Sequence, residues 1–517
     1  MQPVVSAEEM SRIDSQAQSD FGMPELILME NAGQQAWKEL EATLDRRRPQ
    51  RIIFLAGTGN NGGDALVMAR ACKNGDFHHP RIVLSKEPEK GPAKTHLTTC
   101  RKLGIPVDVW NPSEPPDGSN EAPPGEETQG GLLSGADWIV DGLLGTGISG
   151  AARDPVGLIA GSIARLVPRP RVAAVDVPSG LWDGFRGGMP VVTADVTLTL
   201  GLPKRSLYLP VARRHAGEIR SVDIGFPRAL IRDPKLPGML VDDSTVSAFV
   251  PPLTAEDYKH RRGVVALFAG APGTLGAAVL SATSTGRSGA GLVRLFVDPE
   301  LYPTAAGACT SVMVGQCDPS VPPSLEGYDA YVAGPGWSDN PLRLPLLENC
   351  IASGLPGVLD AGALALLPKG FRGEEVNTVL TPHPGEFALL AGASRDAILA
   401  DPLPAVVDVA SDRASVVVLK SHVTYIGAPD GRYAVYDGVN GALGTGGTGD
   451  VLAGIVAGFL ARGVEAFEAA AAAVALHGFL GRRAYGRRGW FLAEDMLEEL
   501  STGLADLVGT RNYSELQ

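Results

Sequence analysis

The segment RIIFLAGTGNNGGDALVMARACKNGDFHHPRIVLS, Arg51 to Ser85, decides the fold class. Arg51 to Ala56 is a short apolar run bounded by glycine, the pattern of a buried strand. GTGNNGGD, Gly57 to Asp64, then turns the chain into a helix through ALVMARACKNG, and Arg81 to Ser85 forms the next strand. Strands joined through a helix run parallel, so the reading is an α/β fold. Two further strand-then-glycine units follow, WIVDGLLGTG from Trp138 and VAAVDVPSGL from Val172. Upstream, Ser6 opens a helical pattern with Glu9 as its capping-box partner.

At 517 residues the chain is too long for one ordinary core. The pattern dissolves into prolines and charges at FPRALIRDPKLPG, Phe226 to Gly238, which suits a linker. The second half restarts with VVALFAGA, a helix from Leu275 to Arg287, LVRLFV, YVAGPG, GVLDAG and VVVLK, and ends in alanine-rich helix. Two α/β domains are expected, residues 1–228 and 239–517. Residues 111–131 are rich in Pro, Gly, Glu and Ser without apolar period and read as a mobile surface insertion.

A formal net charge of −13 argues against nucleic acid or an anionic membrane as the main partner. The first ten residues have no basic, apolar leader pattern. The most apolar stretches, Val451–Leu460 and Ala469–Leu476, are too short to span a bilayer. Five cysteines without CxxC spacing point to reduced thiols in the cytoplasm.

The sharpest chemical signal is GTGGTGDVLAGIVAGFLARG, Gly444 to Gly463. Glycines precede an apolar helix whose first turn carries Asp450. Unpaired N–H groups there attract an anion, and absent side chains let a phosphate approach. Asp450 can then orient an incoming hydroxyl and accept its proton. No lysine follows the glycines, so this is not a Walker loop. Lys420 ends a strand, and Asp360 sits at another strand's carboxyl end, where open α/β sheets bind ligands. His383 and Glu386 in TPHPGEF have HxxE spacing, but Pro384 and Gly385 prevent a regular helix between them, so a substrate contact by His383 is favoured over metal. In the first half, GTGNNGGD satisfies G-x-G-x-x-G, so a generic dinucleotide site competes. Asn60, Asn61 and Asp64 put polar side chains where a plain phosphate turn needs none, and no acidic residue ends the second strand. Asp141, Asp176 and Ser179 lie at successive strand ends, and such oxygens suit a hard cation.

From Tyr258 to Arg488, YKHRRG, GAPGTLGAAVLSA, GRSGAGLV, AGPGW, TPHPGEF, VVLKSHVT and GTGGTGDVLAGI occur in the order of the NAD(P)H-hydrate dehydratase family, which the chain resembles. The resemblance implies a ribokinase-like αβα domain that uses ADP or ATP with magnesium to phosphorylate the C6 hydroxyl of S-NAD(P)H hydrate, after which phosphate leaves. It implies Asp450 as the base, hydrate contacts from Ala277, Gly336, His383 and Asp450, and nucleotide contacts from Lys420, Ser421, His422, Val423, Thr424 and Gly449. Trp337, Ser338, Gly362 and Ser421 depart from the family pattern.

MENAG (Met29 to Gly33), NNGGD, DGLLGTG, DVPSGL and GLPK similarly resemble the NAD(P)H-hydrate epimerase family, over about Ser6 to Gly225. This implies a Rossmann-like three-layer αβα domain that interconverts the R and S hydrates. Potassium would lie on Asn61, Asp141 and Ser179. Hydrate would be bound by Asn60, Asn61, Gly62, Gly63, Asp64, Gly145, Thr146, Gly147, Ile148, Ser149, Gly150, Ala151 and Asp176. Asp176 would be the acid/base group and Lys204 an electrostatic helper; Ala65 and Gly150 depart from the pattern. Together the two resemblances imply a bifunctional isomerase and lyase, cytoplasmic and homo-oligomeric, acting on NADH and NADPH hydrates. The competing expectation is a kinase of a small alcohol or vitamin precursor, with a non-catalytic nucleotide-sensing first half.

Overall fold

The computed structural model describes residues 2–111, 129–368, 370–373 and 377–509. The chain divides into two compact units, Gln2–Leu236 and Pro237–Gln517. Most of the stretch read as a mobile insertion, 112–128, lies outside the described residues.

In the first unit the strands are β1 (Arg51–Ala56), β2 (His79–Leu84), β3 (Val107–Val109), β4 (Trp138–Gly142), β5 (Arg171–Val175), β6 (Val196–Leu200) and β7 (Glu218–Val222). They pair in the order β3-β2-β1-β4-β5-β6-β7, parallel throughout. Chain order reverses at β1, between β2 and β4, the place where doubly wound sheets open a crevice beyond the strand ends. Side chains alternate across β1: Ile52, Phe54 and Ala56 join one apolar core, and Ile53 and Leu55 join another. Helices Ala7–Ser19, Glu25–Glu41, Asn60–Asn74 and Gly91–Lys102 cover the first face, and Val156–Arg165 covers the second. Both faces are therefore buried, which is why these strands read as continuous apolar runs rather than as alternating ones. Ser6 and Glu9 form the capping box foreseen from sequence, with Ser6 N donating to Glu9 Oε2 at 2.7 Å and Glu9 N to Ser6 Oγ at 3.1 Å. The proline-rich stretch after Phe226 contains a helical turn, Arg228–Ile231, and Leu230, Ile231 and Leu236 pack on the first core.

The second unit contains β8 (Gly238–Val241), β9 (Val264–Phe268), β10 (Leu292–Val297), β11 (Met313–Gln316), β12 (Ala330–Ala333), β13 (Gly357–Leu359), β14 (Thr378–Leu380), β15 (Val416–Leu419), β16 (Val423–Gly427) and β17 (Tyr433–Asp437). Their order is β8-β17-β16-β15-β14-β13-β12-β9-β10-β11. From β15 through β14, β13, β12, β9, β10 and β11 the neighbours are parallel. The steps β15–β16 and β16–β17 are antiparallel, so strict alternation of strand and helix fails there. The cause is length: residues 420–422 alone join β15 to β16, far too few for a crossover.

The Thr448–Ala461 helix packs beneath β9, β12 and β13 and against the Leu275–Arg287 helix. Two glycines set that approach. A Cβ on Gly454 would lie 2.0 Å from Ser284 Oγ and 2.3 Å from the Ser281 carbonyl; one on Gly458 would lie 2.0 Å from Ser288 Oγ. The helix that carries Asp450 is thus seated by backbone contact rather than by interdigitating side chains.

Gly334, just beyond β12, has φ +115°, and an added Cβ would lie 1.8 Å from the Asp360 carbonyl oxygen. Gly334→Ala should therefore destabilise the chain by about 2–5 kcal/mol, from left-handed backbone strain together with overpacking. Gly276→Ala, in a helix with open space around the site, should be neutral or stabilising by up to about 1 kcal/mol. Urea unfolding of both variants checks the contrast; an equal response would remove the steric argument.

Candidate functional sites

In the first unit a cavity of about 1360 Å³ opens beyond the carboxyl ends of β1, β4 and β5. Asn60, Asn61, Asp64, the loop from Gly145 to Ala151, Asp176 and Lys204 line it. Gly62 and Gly63, expected as hydrate contacts, are not in the lining. A Cβ on Gly62 would lie 2.0 Å from the Gly57 carbonyl oxygen, and one on Gly63 would lie 2.3 Å from Met29 Sδ. Their missing side chains let the turn close and the MENAG helix pack.

Beside the cavity lies a set of oxygens. Asp141 and Ser179 are fully buried. Asp141 Oδ1 accepts from Ser179 Oγ at 2.6 Å, and Oδ2 accepts from Ser179 N at 2.8 Å. Leu144 N donates to Ser179 Oγ at 2.8 Å, and Asn61 Nδ2 donates to the Leu144 carbonyl at 2.9 Å. Asn61 Oδ1 is buried without a hydrogen-bond partner. Burial pushes the Asp141 carboxyl up to about 6 against the bonds from Ser179. Asn61, Asp141 and Ser179 are therefore brought together, with one orphaned acceptor and one carboxylate that lacks a positive neighbour.

On the cavity wall, Asp176 sits at φ +67°, a strained position for a non-glycine residue. Its Oδ1 accepts from Lys204 Nζ, which also donates to the Leu200 carbonyl, and from Leu200 N at 3.2 Å. Lys204 is 1% exposed. Asp64 faces this pair, and burial, then the Asp176 charge, holds its carboxyl well above the usual range, offset in part by Lys204. One carboxyl group bonded to a buried ammonium and a second, desolvated one beside it line the same cavity, the kind of group that acid/base chemistry uses. The strand-end reading found Asp176. It could not foresee the opposition with Asp64, which needs the helix and the strand in register.

In the second unit the site residues cluster at the carboxyl ends of neighbouring strands. Lys420 follows β15, Thr381 follows β14, Asp360 follows β13, Gly334 and Gly336 follow β12, and Gly270 follows β9. Asp360 is buried; its Oδ1 accepts from Lys420 Nζ at 2.8 Å and from Thr381 Oγ1 at 2.8 Å. The Thr448–Ala461 helix begins after Gly447, whose φ is +91°. Gly444 and Gly446 have open space around them, and a Cβ on Gly449 would meet Lys420 Nζ at 3.4 Å. The Lys420 ammonium thus stands at the helix start. Asp450, mostly buried in the first turn, has its carboxyl pushed up to about 6 by burial, then by Asp360, with Lys420 opposing. That shift corresponds to about 3 kcal/mol by which the site disfavours the charged form relative to water, and the carboxylate still predominates at pH 7.

Ala277 and Gly336 are neighbours: a Cβ on Gly336 would lie 3.0 Å from Ala277 Cβ, and Thr274 Oγ1 donates to the Gly336 carbonyl at 2.6 Å. His383 caps the Pro384–Ala391 helix. Its Nδ1 accepts from Gly385 N at 2.9 Å and Glu386 N at 3.2 Å, while Glu386 Oε2 accepts from His383 N at 2.8 Å. HxxE is thus a capping box here. Among the described residues no group of three His, Cys, Asp or Glu side chains is placed to hold a metal. In KSHVT, Val423 is fully buried and pairs with Asp437 in the β16–β17 ladder, while Ser421 Oγ lies 3.2 Å from His422 Nδ1. Thr424 Oγ1 donates to the Ser421 carbonyl at 3.2 Å. The Asp360–Lys420 pair was visible in sequence only as two separate strand ends.

The family model described as NAD(P)H-hydrate dehydratase matches residues 265–502, and the one described as YjeF-related protein N-terminus matches residues 25–206. The bifunctional NAD(P)H-hydrate repair enzyme Nnr of Moorella thermoacetica is 33% identical, over 98% of this chain and 97% of that protein. The Escherichia coli protein of the same name is 30% identical, over 98% and 95%. Among solved structures, the ADP/ATP-dependent NAD(P)H-hydrate dehydratase from Bacillus subtilis, co-crystallized with ATP/Mg2+, is 27% identical; it covers 52% of this chain and 99% of its own, with a TM-score of 0.48. Both halves are matched along nearly their whole length by single proteins, which a small-alcohol kinase reading leaves unexplained. The chain belongs to the family of bifunctional NAD(P)H-hydrate repair enzymes.

Proposed function

We propose that the first unit interconverts R- and S-NAD(P)H hydrate and that the second dehydrates the S form with ADP or ATP. The observation that carries the reading is Asp450 beside the Lys420–Asp360 pair at a glycine-flanked helix start. The N–H groups there and the Lys420 ammonium suit the nucleotide's terminal phosphate. Asp450 takes the proton of the C6 hydroxyl as its oxygen attacks phosphorus, and the bond to the leaving nucleotide breaks, releasing AMP from ADP or ADP from ATP. Phosphate then leaves with the C6–O electron pair, C5 gives its proton to solvent, and the C5–H electron pair becomes the C5–C6 double bond of NAD(P)H. Hydrate would rest against Ala277, Gly336 and His383, and the adenine nucleotide against residues 420–424 and Gly449. Magnesium would arrive on the phosphates, as it prefers to be held, and screens their charge.

In the first unit Asp176 would act as acid/base on the ring-opening step, with Lys204 holding its carboxylate in place and Asn60, Asn61, Asp64, Gly145–Ala151 and the backbone of Gly62 and Gly63 shaping the hydrate site. Asn61, Asp141 and Ser179 would hold potassium. The oxygens fit it: Asn61 Oδ1 has no donor, and Asp141 is buried with only N–H and O–H partners. Bound there, potassium would supply the positive charge that Asp141 lacks. The five unpaired cysteines support a cytoplasmic setting; among the described residues no helix is long and apolar enough to cross a membrane. The homo-oligomeric state carried by the reading is open to a mass measurement in solution.

Incubation with S-NADH hydrate, magnesium and ADP or ATP should restore NADH absorbance; no recovery with either nucleotide defeats the dehydratase reading. Asp450→Asn should lower recovery by about 10²–10⁴-fold while nucleotide binding persists. The wild-type rate should rise from acid with a midpoint near pH 6, because Asp450 acts only once its carboxyl, held near 6, has lost its proton.

Asp176→Asn should slow conversion of pure R hydrate by at least ~10²-fold and leave the rate on S hydrate unchanged. Equal losses on both epimers would remove Asp176 from its role.

Potassium chloride should raise the first unit's melting temperature above that in choline chloride. Asp141→Asn should abolish the increment; an undiminished increment would place the ion elsewhere.

A further inference from the structure

His477 lies on the long Ala466–Arg488 helix, directly after a stretch, Ala469–Leu476, made of alanine, valine and leucine. Its Nε2 is 2.9 Å from the carbonyl oxygen of Thr448, the first residue of the helix that carries Asp450. A carbonyl oxygen only accepts, so Nε2 must carry the proton and donate. Enclosure by protein, with the Lys420 charge adding to it, holds the imidazole down at about 4, so the ring is neutral near pH 7. The same long helix grips the glycine loop a second time. A Cβ on Gly481 would lie 2.6 Å from Leu443 Cδ2, so Leu443 is seated on the helix where Gly481 leaves room. Thr448 Oγ1 then bonds back to the Leu443 and Thr445 carbonyls, each at 2.9 Å. The helix itself is pinned to β17: Gly478 makes room for the Tyr436 hydroxyl, to which Arg482 Nη1 donates at 2.7 Å.

We infer that His477 is a positioning residue for phosphoryl transfer, holding the glycine loop and the first turn of the Asp450 helix in register through its bond to the Thr448 carbonyl. The inference rests on the dehydratase reading given above. Without that bond Thr448 keeps its own bonds within the loop, and the loop keeps its apolar contact at Gly481, but the polar tie from the Ala466–Arg488 helix to the residue two before Asp450 is lost. Displacement of a reacting group by about 1 Å commonly lowers a rate by 10²-fold.

The test compares His477→Gln, whose amide nitrogen can occupy the place of Nε2, with His477→Asn, whose amide is too short to reach it. The Asn variant should lose about 10–10²-fold in kcat, with KM for S-NADH hydrate within about threefold of wild type; the Gln variant should stay within about threefold of wild-type kcat. Equal kcat in the two variants, whether both high or both low, overturns the inference. Should the Asn variant not fold, long-range ¹H–¹⁵N spectra of the wild-type imidazoles decide, with His477 assigned by its loss in the Gln variant. A neutral ring protonated at Nε2 near pH 7 supports the bond, and protonation at Nδ1 overturns it. A wild-type chain that shows the Nε2 proton yet never restores NADH sinks the dehydratase reading and leaves the anchoring bond standing.

Discussion

Close backbone contact between the Thr448–Ala461 and Leu275–Arg287 helices is the constraint on which the second unit's chemistry depends. Gly454 and Gly458 have no Cβ because Ser281, Ser284 and Ser288 occupy the space. A helix seated in this way cannot slide or rotate without steric overlap, so its first turn is held against the carboxyl ends of β12 and β13. There the orphan N–H groups, Asp450 and the Lys420–Asp360 pair meet. Burying Asp450 disfavours its charge, and the same enclosure strengthens each electrostatic interaction that a bound phosphate would make. Destabilising the carboxylate and preparing the phosphate site are one physical act.

The first unit solves a related problem with another device. Its parallel sheet reverses order at β1, and the turns after β1, β4 and β5 share one edge. Glycines again do the structural work, but here they close turns: Gly57 and Gly62 fit against neighbouring carbonyls that a side chain would displace. The polar residues between them are left at the wall and beside it. Asn61, Asp141 and Ser179 collect oxygen atoms with too few protons to satisfy them, whereas Asp64 and Asp176 divide the influence of the single buried Lys204 ammonium.

Family membership makes the two halves intelligible as one protein. A dehydratase restricted to one epimer strands the other, and an epimerase joined to it returns the lost material. The same membership gives meaning to the departures. Trp337, where the family favours a smaller apolar residue, stacks under the Arg343 guanidinium at 4.9 Å, and Arg343 in turn donates to Asp298 at 2.7 Å and the Gly270 carbonyl at 3.2 Å. The cation–aromatic contact covers the ring beside the strand ends, while the buried indole Nε1 has no hydrogen-bond partner.

The sequence by itself determined the α/β class, the strands that carry the motifs, the Ser6–Glu9 cap and the glycine-to-helix transitions at Gly57 and Gly444. All of these depend on local periodicity, capping or backbone freedom, which neighbours along the chain express directly. It passed from VVVLK to the alanine-rich helix and missed β16 and β17, whose antiparallel pairing follows from the three residues that separate β15 from β16. It read Gly62 and Gly63 as hydrate contacts, and the structure adds that their missing side chains make room for Gly57 and Met29. Only tertiary structure joined Lys420 to Asp360 across two strand ends, set Asp64 against Asp176, made HxxE a capping box and brought His477 to Thr448. Charge and burial act through space, and contacts between residues dozens of positions apart exist only once the sheet has aligned its strand ends.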